Sequence, residues 1–181
     1  SLIHTTNLFQ IFEENPHEKN SDIRQYIVVL YHHLKIFIFK KDYKSFDKMI
    51  HKLKIENSKN TFAKNFSNER YFNLILFRYL ASGEYTQSTK YLDEFEAFCS
   101  QKDFKLTPLT EPLLYGVAAS LNMNLNNFKK ALYWNNKVLQ LPNYNNIRED
   151  LISSTELFEI IIHFELDNYD LINYKINSFH A

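Results

Sequence analysis

The chain has 181 residues, of which 45% are hydrophobic and 16% aromatic, and its 21 basic residues balance its 21 acidic ones. This is the composition of a globular chain, and the zero net charge argues against a protein that coats nucleic acid, so we expect no nucleic-acid partner. With only two glycines and four prolines, the chain lacks the residues that β-hairpin turns require, which favours an all-α fold.

Residues 1–15 are predicted to form a partial helix that belongs to a preceding repeat unit. The apolar residues of this helix need a surface to pack against, so a second copy of the chain is a candidate partner through it. These residues are Leu2, Ile3, Leu8, Phe9 and Phe12. The chain opens with Ser1, and no basic start is followed by an apolar signal core. We therefore interpret the chain as a segment of a longer protein and favour the cytoplasm as its location.

The most apolar run, from Tyr26 to Phe39, is interrupted by His32, His33 and Lys35. It is too short and too polar to span a bilayer. We interpret it as a buried helix and expect no membrane insertion.

An aromatic residue recurs after a polar pair at a regular spacing. The aromatics are Tyr43, Tyr85, Phe128 and Tyr169, and the gaps between them are 42, 43 and 41 residues. A longer apolar helix is predicted before each aromatic, over 23–39, 70–80, 113–125 and 151–166, and a shorter amphipathic helix after it. The period is typical of helical repeats. We expect one domain, 1–181, with four antiparallel helical hairpins at about 21–56, 67–101, 110–142 and 148–180.

Single residues refine these boundaries. Ser67 and Thr110 are the residue types that cap helices, and Pro112 suits a first helical turn. Cys99 is the only cysteine and cannot form an intramolecular disulfide, so we expect it to be a small buried hydrophobic residue.

The third hairpin resembles a tetratricopeptide repeat (TPR). It has small residues in its first helix, an aromatic at the turn (Phe128), an alanine three residues later (Ala131) and a proline after the second helix (Pro142). Phe46, Ser88 and Ile172 stand where the other hairpins would have that alanine, and the period exceeds the 34 residues typical of the family, so the array is a degenerate one. The last hairpin is also similar to helical-repeat regions of Bacteroidetes proteins. The resemblance implies a right-handed superhelical α-solenoid.

Few residues suggest chemistry. There is no glycine-rich loop for a phosphate, and His32 and His33 are adjacent, so they point about 100° apart on a helix and do not share a metal in the i, i+4 manner. His163 is likewise off the face of Glu165. We therefore predict no metal, no cofactor and no enzymatic activity.

In TPR arrays the first helix of each hairpin lines a concave binding face, and the resemblance implies the same here. We predict that Lys35 and Arg70 hold a carboxylate of a bound peptide and that Asn73 and Asn124 bond its backbone. The interpretation is a non-catalytic protein- or peptide-binding scaffold; the alternative is a sensory or regulatory ligand-binding domain of a larger signalling or transcription-regulating protein. The predicted binding residues are Tyr31, Lys35, Arg70, Asn73, Phe77, Ser120 and Asn124.

Overall fold

The computed structural model describes residues 2–54, 61–101, 106–142 and 149–179. These ranges are helical and contain no β-strand, which confirms the predicted all-α class. None of the described helices combines the length and the hydropathy of a membrane span. The helices are α1 (Leu2–Glu14), α2 (Pro16–Ser21), α3 (Ile23–Phe39), α4 (Tyr43–Met49), α5 (Thr61–Ser82), α6 (Thr89–Cys99), α7 (Glu111–Asn124), α8 (Phe128–Leu139), α9 (Glu149–Glu165) and α10 (Tyr169–Phe179), with 3-10 segments at Ile50–Leu53 and Tyr85–Ser88.

Two compact units divide the described residues. The first contains α1 to α5 and the part of α6 that begins at Asp93; the second contains the segment 84–92 and α7 to α10.

The turns before the four recurring aromatics share one backbone feature, a residue with positive φ two positions earlier. These residues are Lys41 (φ 57°), Gly83 (75°), Asn126 (55°) and Asp167 (59°), so they recur at the same 42, 43 and 41 residues. A left-handed residue ends a helix and lets the next amides reach its last carbonyls. In the first and third turns, for example, Asp42 N–H donates to Phe37 O at 2.9 Å and Asn127 N–H donates to Asn122 O at 2.8 Å.

The two glycines of the chain provide a matched pair of substitutions. Apart from its chain neighbours and, for Gly116, the backbone of its own helix, a Cβ built on Gly83 or on Gly116 has no described atom within 4 Å, so only the backbone conformation distinguishes the two positions. We expect Gly83→Ala to lower the free energy of unfolding by about 1 kcal/mol, because alanine disfavours the left-handed region. Gly116→Ala, inside α7, should raise it by about 0.5–1 kcal/mol. Urea denaturation checks both, and a loss of stability in both variants would contradict the turn geometry.

In the first unit, the buried side of α3 is covered by α1. Phe9 stacks on His33 with ring centroids 4.6 Å apart, and Phe12 meets Tyr26 edge-on at 5.9 Å. Phe9 and Phe12 are 8% and 6% exposed. These two rings are thus buried within their own chain, which removes them from the surface predicted for self-association; the side chains of Leu2 and Ile3 lie outside the described set.

The structure corrects several boundaries. Between the predicted N-terminal helix, 1–15, and the first predicted hairpin the structure has a further short helix, α2, with proline in its first turn. α5 begins at Thr61 rather than near 67, and Ser67 is no cap, since it is buried within α5 and its hydroxyl donates to Leu53 O. Thr110 does precede α7, but its side chain makes no capping bond. Cys99 is partly exposed rather than buried.

In the second unit, small residues lie where α7 and α8 meet. Ala118, Ala119 and Ala131 are 0% exposed, and small residues at such positions allow two helices to pack closely. α8 continues onto α9, where Asn135 Nδ2 donates to Thr155 O at 3.2 Å. α9 and α10 are joined by Lys175, whose Nζ lies 2.6 Å from Glu159 Oε2.

Candidate functional site

One face of the first unit gathers most of the predicted binding residues. On α3, Tyr31, Lys35 and Phe39 follow at four-residue intervals and therefore share one side of the helix. α5 carries a matching row at three- and four-residue intervals, and the first turn of α3 adds a cation. We define the α3–α5 face as Arg24, Tyr31, Lys35, Phe39, Phe62, Phe66, Arg70, Asn73 and Phe77, all of which are exposed or half-buried.

The two helices present this face because their other sides are consumed by the core. On α3, Ile27, Leu30 and Leu34 are 0% exposed, and on α5 Leu76 is 0% exposed. The apolar spacing of each helix therefore orients the remaining stripe away from the core.

Contacts across the face put α3 and α5 in register. Tyr31 Oη donates to Asn73 Oδ1 at 2.8 Å, and the Arg24 guanidinium lies 5.8 Å from the centre of the Phe66 ring. The partners in both contacts are 42 residues apart in sequence, so the two helices run parallel with the offset that also separates Tyr43 from Tyr85. Positions 42 residues apart on α3 and α5 thus lie side by side.

Arg70 is held at the centre of the face. Its guanidinium lies 4.7 Å from the Phe66 ring centre and 5.1 Å from that of Tyr31, and its Nη1 is 3.4 Å from Glu69 Oε1. The aromatic rings favour a cation over their faces. Glu69 is 2% exposed and Arg70 is half-buried, so the ion pair between them lies partly within the protein.

Two further cations of the face lie over aromatic rings. Lys35 Nζ lies 5.6 Å from the Tyr31 ring centre and 5.7 Å from that of Phe39, and Arg24 lies 5.5 Å from that of Phe62. Within the described ranges, neither cation is paired with a carboxylate. An incoming anion is thus not in competition with a described internal partner at these two positions.

The cations of the α3–α5 face shift the pKa values of neighbouring side chains. Burial lowers the pKa of His32, and the cations Lys35 and Arg70 lower it further. Burial raises the pKa of Tyr31, opposed in part by Arg70, so the hydroxyl stays protonated and remains the donor to Asn73. The cations of the face thus act electrostatically on both side chains.

Apolar surface lies among these cations. Phe39 is 71% exposed, Phe62 58% and Phe77 39%. Exposed rings beside cations suit a protein segment that combines apolar and acidic side chains.

The structure brings five of the seven predicted residues together: Tyr31, Lys35, Arg70, Asn73 and Phe77. Ser120 and Asn124 belong to the second unit, where Ser120 Oγ donates to Gly116 O at 2.9 Å and Asn124 Nδ2 donates to Ser120 O at 2.8 Å. Their side chains thus bond their own helix. Four further members of the face were not predicted: Arg24, Phe39, Phe62 and Phe66. The 42-residue offset relates Arg24 to Phe66, and the four-residue spacing along each helix relates Phe39 to Lys35 and Phe62 to Phe66.

The histidines divide as their spacing predicts. His32 is exposed, whereas His33 is 8% exposed between Phe9 and Phe37, and its Nδ1 has no hydrogen-bond partner among the described atoms. His163 Nδ1 lies 3.1 Å from Asn168 Nδ2, and its Nε2 lies 3.9 Å from Glu159. The described part of the chain holds no group of three or more His, Cys, Asp or Glu residues that fits a metal ion.

Comparison of the chain with known protein families, with curated proteins and with solved structures finds no match.

Proposed function

We propose that this chain is a non-catalytic protein- or peptide-binding module of degenerate TPR-like hairpins, and that the α3–α5 face is a binding surface of that module. The observation that carries the proposal is the cluster of Tyr31, Lys35, Arg70 and Asn73 in register across two parallel helices. The turn spacing of 42, 43 and 41 residues supports the repeat.

Asn73 is oriented to bind a peptide backbone. Its Oδ1 accepts the Tyr31 hydroxyl proton, so its Nδ2 points elsewhere and offers two N–H donors. No described residue accepts from this Nδ2. A main-chain carbonyl of an extended segment is a suitable acceptor, and the Tyr31 bond holds the amide in that orientation in advance of binding.

Lys35 and Arg70 supply the charge that selects the segment. Both cations lie next to Tyr31, on either side of the Asn73 side-chain amide that donates to the peptide. They therefore suit carboxylates that flank the bound main-chain carbonyl. Phe39 and Phe77 offer apolar contact at the same end of the helices. The preferred ligand is thus an extended segment with acidic and apolar side chains.

A charge-reversed variant tests the surface. Binding of short fluorescent peptides in acidic, neutral and basic sets is measured by anisotropy for the wild type and for Lys35→Glu/Arg70→Glu. We expect the acidic, apolar peptides to bind best, with an affinity that falls with added salt, and the variant to lose on the order of tenfold or more.

The control is Lys44→Glu/Lys48→Glu, which reverses two exposed cations of α4 and changes the net charge equally. It should bind as the wild type does. Equal affinity of both variants would assign binding to another surface, and no binding by any peptide set would contradict the proposed function.

A further inference from the structure

We propose that one partner of the α3–α5 face is a second copy of this chain, which docks through the exposed, acidic side of α9. This inference rests on the proposed function, because it assigns a protein surface to the same face. The α9 surface is defined here as Asp150, Leu157, Ile161, Phe164 and Glu165.

Charge is segregated along the chain although its total is zero. Residues 149–179 carry seven acidic residues and one lysine, a net charge of −6 with histidine neutral, so the rest of the chain carries the compensating +6. Part of that positive charge is Arg24, Lys35 and Arg70 on the α3–α5 face. Each copy therefore carries a surface of either sign, which favours association of unlike surfaces.

The α9 surface is apolar as well as acidic. Leu157 is 54% exposed, Ile161 41% and Phe164 58%, and their spacing of four and three residues puts them on one side of the helix. Asp150 and Glu165 lie at the two ends of this row and are exposed. Apolar side chains between carboxylates match the α3–α5 face, where exposed rings lie between cations.

The buried charged residues of α9 and α10 do not contribute to the proposed docking surface. Glu159 is 8% exposed and is already paired with Lys175 at 2.6 Å. In contrast, Glu165 has no cation partner among the described residues. The carboxylate at the outer end of the row is thus available to a cation of another molecule.

Neither surface suits pairing with itself. Two α3–α5 faces would bring Lys35 and Arg70 against their own copies, and two α9 surfaces would do the same with Asp150 and Glu165. Like charges brought together oppose association. The proposed contact therefore joins the α3–α5 face of one molecule to the α9 surface of another, a heterologous contact.

Sedimentation equilibrium over a concentration series tests the contact. The wild type should show a mass that rises above the 21.7 kDa monomer with concentration and falls back with added salt. Lys35→Glu/Arg70→Glu, which has two acidic surfaces, and Asp150→Lys/Glu165→Lys, which has two basic ones, should each weaken self-association on the order of tenfold or more. Circular dichroism confirms that each variant is folded.

A mixture of the two charge-reversed variants tests the proposed contact most directly. In an equimolar mixture of the two variants the reversed charges are complementary again, so association should return to about the wild-type level. In the control mixture, Lys44→Glu/Lys48→Glu replaces Lys35→Glu/Arg70→Glu. This control mixture should not restore association to the same extent. A wild type that stays monomeric, or a mixture that stays as weak as its components, would overturn the proposed docking. Peptide binding that still depends on Lys35 and Arg70 would then leave the proposed function standing, so the two failures are distinguishable.

Discussion

Trp134→Ala is expected to lower the free energy of unfolding by about 3–5 kcal/mol, the range for removal of a large buried aromatic. Trp134 is 1% exposed, and its ring centre lies 5.5 Å from that of Tyr115 on α7. The alanine would leave a cavity between α7 and α8, whose close approach at Ala119 and Ala131 limits how far the helices can shift to fill it. Urea denaturation followed by circular dichroism measures the loss.

The adjacent residue provides the control. Tyr133 is 47% exposed, and its ring contacts are with Trp134 and with Lys137, whose Nζ is 5.2 Å from the Tyr133 ring centre. Tyr133→Ala should cost about 0.5 kcal/mol, as for surface positions. If the two substitutions cost the same, the orientation assigned to α8 is wrong.

Asp47→Ala is expected to destabilise the first unit by about 2 kcal/mol. Arg78 is 4% exposed and donates twice to Asp47, from Nε at 3.1 Å and from Nη2 at 2.7 Å. The substitution removes two hydrogen bonds and a negative charge from a buried guanidinium, and breaking a fully buried pair costs about 3–5 kcal/mol. Since the Asp47 side chain is 44% exposed, water compensates part of that cost and the expected loss is smaller.

Lys48→Ala on the same helix is the matched control, because it also introduces alanine into α4 but removes an exposed cation. Its effect should stay within about 0.5 kcal/mol. A loss for Asp47→Ala as small as that for Lys48→Ala would mean that Ser82, 3.2 Å from Arg78 Nη1, and the nearby rings of Tyr43 and Tyr79 suffice to satisfy the guanidinium.

Hydrophobic periodicity predicted the helices well wherever a helix buries one face. The bounds predicted for α3, 23–39, agree with the structure, and each recurring aromatic begins the helical segment after its turn. The start of α5 was missed because Ser67 resembles a cap in sequence, whereas its hydroxyl is used by the carbonyl of Leu53, a residue brought close only by the fold. α2 was missed because its polar residues carry no apolar period.

The candidate site was predictable in part for a related reason. Tyr31, Lys35, Arg70, Asn73 and Phe77 follow from the spacing along one helix face, but the bond between Tyr31 and Asn73 depends on the register of two helices. Ser120 and Asn124 have the same spacing. Their side chains nevertheless donate hydrogen bonds to main-chain carbonyls of α7 itself. Short polar side chains can form such local bonds in any helix, and residue spacing does not reveal when they do.

The central claim is that the α3–α5 face binds protein segments, and chemical-shift mapping tests it most directly. The ¹⁵N-labelled chain is titrated with the tightest-binding acidic, apolar peptide of the anisotropy series. We predict that the largest shifts fall on α3 and α5, including the side-chain amide of Asn73, and that α4 is unaffected. Largest shifts on the second helices α4, α6 or α8, with Asn73 unmoved, would contradict the account.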